Sequence, residues 1–214
     1  VARQDGPGVA RRPVGRRDGR RVVERTPVTR GWVWATSGRL AVGRARDYTH
    51  ATEYARPVAP SPNLPTQRAI YLYAALCPFE GTVVSLGRGT DLPFECYGHP
   101  DLKDRNYTFT PRPTAGAKHP PLEGRLCRGV DLREMPLDEA RQVGFSLRYV
   151  IDAYHDLEAL GDGFFTPMFE KLVGAGWVRE MIRAGATDAE IRARWLPEAE
   201  QFRTLRAKYL LYEE

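Results

Sequence analysis

The chain's 214 residues, 42% of them hydrophobic, suffice for one medium domain with a sizeable core, or for such a domain and a small appendage. No run of eighteen apolar residues and no basic-then-apolar leader occurs among them, so neither a membrane-spanning helix nor a signal peptide is visible in this sequence. The net charge of +5 divides unevenly: residues 1–46 carry +9, with twelve arginines against Asp5, Asp18 and Glu24, while residues 47–214 carry −4, so the overall basicity says nothing about the body of the chain.

The head, residues 1–46, is rich in Arg, Gly, Val and Pro, and of Leu, Ile, Phe and Met it contains only Leu40. It has no periodic apolar face whose burial could offset the entropy of ordering. It reads as a disordered basic arm, a linker, or the out-of-frame translation of a GC-rich gene. Arginine without lysine, and only Trp32 and Trp34 as aromatics, favour the last two. A nucleic-acid partner is not expected.

From Asp47 the composition changes, and Tyr48-Thr49-His50 leads through Tyr54 and Pro57 into the stretch Pro60 to Glu95, where most of the chemistry is concentrated. In Ser61-Pro62-Asn63-Leu64-Pro65-Thr66 each proline fixes its own φ and restricts its predecessor, so Asn63 is displayed from a stiff turn. Ile70, Tyr73, Ala74 and Cys77 follow helical spacing and predict a one-sided helix of about three turns, stopped by Pro78. Phe79 to Leu86 reads as a strand through Val83 and Val84, with Glu80 at its end facing Gly81, and Phe94 to Tyr97 as a second, short strand. Between them, Gly87-Arg88-Gly89-Thr90 holds an arginine between two glycines, a setting in which a guanidinium can fork onto a carboxylate or phosphate while the ligand approaches the main chain.

Tyr107 to Thr110 alternates apolar with polar, as a half-buried strand does. The Pro- and Gly-rich loop from Pro111 to Gly124 is long enough for a rim or lid and carries Arg112, Lys118 and His119. A further strand is expected over Arg125 to Leu132. The last third is helical: Pro136 fits a first helical position, and Leu137, Ala140, Val143, Leu147, Val150, Ile151, Tyr154 and Leu157 trace an apolar stripe. Thr166-Pro167 starts another helix and Trp177 to Ala184 a third. Thr187 with Glu190 forms a capping box before Ile191 and Trp195, and Pro197 is expected to kink or restart the helix beyond it. The fold class is therefore α/β in the α+β sense, a small mixed sheet with helices packed on one face. Cys77, Cys96 and Cys127 lack the close pairing of a zinc site, Cys96 with His99 being the nearest approach, and read as free buried thiols; no metal or other cofactor is expected.

The residues 47–214 resemble the C-terminal domain of the NamZ-type exo-β-N-acetylmuramidases. The likeness rests on PSPNLPT (60–66), FEGTVVSLGRGTDLPFE (79–95) and GHPDL (98–102), and continues through FTPRP (109–113), the strand from Cys127 to Leu132, FFTPMFEKL (164–172) and YLLY (209–212). The resemblance implies a periplasmic or secreted glycosidase of peptidoglycan turnover that releases terminal N-acetylmuramic acid. It also implies a Rossmann-like N-terminal partner domain across a shared cleft, carrying the proposed catalytic glutamate in a Glu-His-Gly sequence. No Glu-His-Gly occurs in this chain, so that domain is expected to lie outside it.

Glycosidic cleavage takes one carboxyl to protonate the leaving oxygen and a second group to activate water or attack. Within this chain Glu80 is the carboxylate assigned to the second role, against a structural role in tying down the Gly-Arg-Gly loop. Arg88 is expected to fork onto the lactyl carboxylate of the sugar, with Thr90 and Asn63 hydrogen-bonding its hydroxyls and Arg112 as a weaker second cation. Glu95 is expected to pair with a neighbouring arginine. A non-catalytic muramyl-sugar-binding module and a nucleic-acid binder acting through the head are the competing readings.

Overall fold

The computed structural model describes residues 43–212, and what the sequence predicts for residues 1–42 lies outside them. The first helix, α1 (Gln67–Leu76), begins where the proline-stiffened turn releases the chain: Thr66 is extended and its hydroxyl accepts the Ala69 N–H at 3.0 Å, satisfying one of the orphan donors of the first turn. Ala69, Leu72, Ala75 and Leu76 form its buried face. The stripe expected from the sequence, Ile70 to Cys77, is rotated outward. Two stripes at helical spacing interleave in α1, and the one rich in alanine wins because small residues allow close approach to the following helix α2 (Leu137–Val143).

Residues 79–86 do not form the expected strand. Pro78 begins a tight 3-10 helix, Cys77–Gly81, that continues from α1 and contains Glu80. The rest of the segment makes only single bridges, Thr82 to Phe165 and Ser85 to Gly98. Gly81 lies so close to the backbone of Phe169 that a Cβ would stand 2.3 Å from its Cα, and this packing turns the chain away from extended pairing.

The sheet has three strands, β1 (Cys96–His99), β2 (Tyr107–Phe109) and β3 (Cys127–Asp131), in the order β1-β3-β2. Every pairing is antiparallel, not mixed: Cys96 faces Asp131, Tyr97 faces Val130, and Phe109 faces Cys127. Alternation sends these residues to opposite faces. Tyr97 and Val130 enter the main core, where Tyr97 stacks on Phe79 at 4.8 Å and meets Tyr149 at 5.9 Å. Cys96, Phe109 and Cys127 form a second apolar cluster with Leu92 and Leu122 from the two glycine-rich loops.

Helices from the last third of the chain complete the main core. The long stripe breaks at Gly144, whose φ of +55° ends α2, and resumes in α3 (Arg148–Asp156). Pro136 is the residue before α2, one position earlier than expected. Asp188 holds the start of α3, accepting the Leu147 N–H at 2.7 Å and the Ser146 hydroxyl at 2.8 Å. After a 3-10 segment, Glu158–Phe164, the rings of Phe164, Phe165, Phe169 and Tyr154 pack together beside α4 (Phe169–Val173). Helices α5 (Gly176–Arg183) and α6 (Asp188–Arg206) come next. Thr187 and Glu190 form the expected capping box, with reciprocal bonds of 2.8 and 3.3 Å. α6 runs on through Pro197 without restarting, although the ring both removes the backbone bond to the Ala193 carbonyl and crowds that carbonyl.

The described residues divide into two compact units, one comprising residues 54–199 and the other residues 43–53 with 200–212. Within the described part of the smaller unit, the Tyr212 hydroxyl accepts the Ala45 N–H at 2.8 Å and the Tyr48 and Tyr212 rings meet edge-on at 4.9 Å. Among the described residues no helix is long and apolar enough to cross a membrane.

Candidate functional site

The loop from Gly87 to Leu92 is a closed, internally bonded turn. Gly87 and Gly89 have φ of +70° and +83°, and a Cβ at Gly87 would come within 2.5 Å of the Cys96 sulfur, one at Gly89 within 2.5 Å of the Arg112 carbonyl oxygen. Thr90 closes the turn with both its groups: its N–H and its hydroxyl donate to the Gly87 carbonyl at 3.0 and 2.6 Å, and the hydroxyl accepts the Leu92 N–H at 3.0 Å. Arg88 is thus presented from a fixed backbone. Its Nη1 lies 3.4 Å from Glu80 Oε2, its guanidinium stands over the Phe94 ring at 5.7 Å, and its Nε is buried with no hydrogen-bond partner among the described residues. Both members of the pair keep contact with solvent, at 35% and 28% exposure for Arg88 and Glu80.

Phe94 is the floor of this cluster. It is buried and has φ of +60°, a conformation that costs a bulky side chain about 1–3 kcal/mol and persists only where its surroundings impose it. Its N–H donates to the Leu86 carbonyl at 2.9 Å. Tyr73, from the outward side of α1, leans on the same ring at 5.1 Å. Partial burial raises the Tyr73 phenol above its ordinary range; the neighbouring Glu80 and Cys77 add to this and Arg88 opposes it. The Cys77 thiol is raised likewise, by burial first and then by Glu80. Tyr73 was hidden from sequence reasoning because its helical spacing assigned it to the core.

The remaining predicted residues sit on adjoining segments. The Asn63 side-chain amide donates to the Gly116 carbonyl at 2.8 Å, fastening the proline turn to the loop from Pro111 to Gly124 and leaving its Oδ1 as the atom that could meet a ligand. Arg112 lies on that loop with an exposed side chain, and its N–H donates to the Gly89 carbonyl at 2.8 Å. Structure therefore brings Glu80 and Arg88 into contact, puts Thr90 in the same turn, and ties Arg112 and Asn63 to that turn through the backbone of one loop.

Glu95 is almost wholly buried at 2% exposure. It accepts the Thr66 hydroxyl and the Arg68 Nη1, the latter at 3.1 Å, while Arg68 Nε donates to the Met135 carbonyl at 2.9 Å. This network fastens the start of α1 to the strand region and explains why this acid, unlike Glu80, faces inward. The three cysteines are free; Cys96 and Cys127 are buried and Cys77 is half-buried. Burial pushes the Cys96 thiol up to about 12 and the Cys127 thiol up to about 11. Among the described residues no three His, Cys, Asp or Glu side chains gather as a metal site requires.

This is an α+β domain that presents Asn63, Arg88, Thr90 and Arg112 from loops rigidified by glycine and proline. Residues 71–212 match the family described as exo-beta-N-acetylmuramidase NamZ, C-terminal, and the chain belongs to that family. It is 37% identical over 175 residues to the peptidoglycan beta-N-acetylmuramidase NamZ of Bacillus subtilis strain 168, a match spanning 72% of this chain and 40% of that protein. Among solved structures, a DUF1343 family protein from Bacteroides fragilis NCTC 9343 superposes with a TM-score of 0.76 at 53% identity, over 79% of this chain and 48% of the other. A second DUF1343 family protein of the same strain shares the fold alone, with a TM-score of 0.53 at 19% identity over 71% of this chain and 44% of that one. The chain thus spans less than half the length of the relatives it matches.

Proposed function

We propose that this domain forms one wall of a glycosidase site that releases terminal N-acetylmuramic acid from peptidoglycan fragments, outside the cytoplasm in the periplasm or as a secreted protein. The acid that protonates the leaving oxygen belongs to a Rossmann-like partner domain, and Glu80 supplies the second carboxylate that cleavage requires. The observation that carries this reading is the Arg88 and Glu80 pair: two opposite charges 3.4 Å apart, each about a third exposed, one of them fixed between glycines in the left-handed region. A guanidinium that is 35% exposed and meets Glu80 through Nη1 retains donors for a second anion, and the lactyl carboxylate is what distinguishes N-acetylmuramic acid from N-acetylglucosamine. Thr90 in the same turn, with Arg112 and Asn63, which the loop from Pro111 to Gly124 ties to that turn, supplies hydrogen bonds to the sugar's polar substituents.

Calorimetric titration of the 214-residue chain with the two sugars tests the reading. N-acetylmuramic acid should bind about tenfold or more tightly than N-acetylglucosamine, the ~1.4 kcal/mol or more expected of a charge-assisted fork. Arg88→Ala should remove that preference. An undiminished preference in Arg88→Ala would overturn the assignment of Arg88.

A further inference from the structure

One aromatic ring beside the Glu80 and Arg88 pair is not consumed by the fold. Tyr73 is 41% exposed on α1, whose core contacts are made by Ala69, Leu72, Ala75 and Leu76 on another face. Its ring rests on Phe94 at 5.1 Å with 47° between the planes, and the Arg88 guanidinium lies 5.7 Å from the centre of that same Phe94 ring. Tyr73 and Arg88 therefore share a single buried phenyl group, and Glu80 joins them through Arg88. The phenol senses the charges of both Glu80 and Arg88, which places all three within electrostatic reach of one another.

A pyranose offers two kinds of surface to such an arrangement. Its hydroxyls and carboxylate seek charged or polar partners, while its patch of axial C–H groups, slightly positive, suits the negative face of an aromatic ring. We infer that Tyr73 is a sugar-binding platform residue that receives the C–H face of an N-acyl sugar while Arg88 takes the carboxylate that only the sugar acid carries and Glu80 faces the ring's reacting side. This deepens the function proposed above and rests on it. The left-handed backbone of Phe94 has a part in the arrangement, because Phe94 supports both the tyrosine ring and the guanidinium. Tyr73 contributes its ring face and not its hydroxyl, since no hydrogen bond from that hydroxyl fixes it to the protein among the described residues, whereas the ring is seated on Phe94.

The test uses the 214-residue chain and its Tyr73→Ala, Tyr73→Leu and Tyr73→Phe variants, titrated with N-acetylmuramic acid and with N-acetylglucosamine by NMR. Circular dichroism verifies that each variant is folded. Tyr73→Ala and Tyr73→Leu should weaken both sugars about tenfold, because the platform is blind to the lactyl group, and Tyr73→Phe should bind within about twofold of the parent. Leucine keeps the apolar bulk without the π face, so it reports on the ring even if alanine unfolds the protein. Parent-like binding by folded Tyr73→Leu would overturn the inference while leaving the Arg88 reading standing. A parent that binds both sugars equally, with both lost in Tyr73→Leu, would overturn the carboxylate reading and keep the platform; a parent that binds neither would overturn both.

Discussion

Thr90 and Asn63 spend much of their hydrogen-bonding capacity inside the protein, Thr90 in closing its own turn and Asn63 in holding the loop from Pro111 to Gly124. Arg88 and Glu80 owe their availability to that internal bonding. That Glu80 lies beside the Gly-Arg-Gly turn was legible in the sequence, because glycines on both sides of an arginine announce a tight turn next to it. Tyr73 was not legible, since in α1 the stripe containing it and the stripe containing Ala69 and Ala75 have the same period, and only packing against α2 decides which turns inward. His99 illustrates a different residue-scale effect. It is 5% exposed on β1, its Nδ1 accepts the Asp101 N–H at 3.2 Å, and the Asp101 carboxylate lies 3.5 Å away.

Burial lowers the His99 imidazole below its ordinary value, the Arg125 charge adds to the lowering, and Asp101 opposes it. A histidine depressed in the folded state binds fewer protons there than in the unfolded chain, so its contribution is complete above the unfolded value of about 6.5 and is lost as pH falls through that window. The melting temperature should therefore drop between about pH 7 and pH 5, and drop less in His99→Asn, whose amide oxygen can still accept the Asp101 N–H. Equal pH dependence in the two proteins would show that His99 titrates no differently in the folded and unfolded states.

At the scale of elements, α1 depends on one hydroxyl that does two things. Thr66 accepts the Ala69 N–H as a cap and donates to the buried Glu95, which Arg68 also contacts. Thr66→Ala should cost about 1–2 kcal/mol through the cap, a fall of ~2–8 °C in melting temperature for a chain of this size, and Thr66→Ser should recover most of it. An unchanged melting temperature in Thr66→Ala would mean that the proline turn alone sets the start of α1. The helices and strands β2 and β3 were legible because their periods of 3.6 and 2 survive in the apolar pattern, whereas β1 was expected two residues early, at Phe94 to Tyr97, because all four of its residues, Cys96–His99, are buried and no alternation marks its ends. The segment from Phe79 to Leu86 was not: Val83 and Val84 gave it strand character, while Pro78 and the close approach of Gly81 to Phe169 imposed a tight turn that no local preference announces. The apolar stripe that continues from Leu137 to Leu157 likewise conceals the break at Gly144, a residue whose positive φ becomes visible only in three dimensions.

Over the whole molecule, a small antiparallel sheet supports two different kinds of packing. Tyr97 and Val130 join the helical core, and Cys96, Phe109 and Cys127 carry the loops that present Arg88 and Arg112. The same sheet thereby anchors both the scaffold and the candidate site. The family was legible from long motif blocks, but the contribution of the rest of its relatives' length lies beyond what these residues can supply. The role given to Glu80 is best measured in a chimera: this chain replacing the matching part of the Bacillus subtilis relative, with release of N-acetylmuramic acid from peptidoglycan fragments as the readout. The chimera should turn over, and its rate should fall at least about a hundredfold in Glu80→Gln, the range for loss of a positioned acid or base, with folding intact. Turnover by Glu80→Gln equal to that of the parent chimera would contradict a catalytic Glu80.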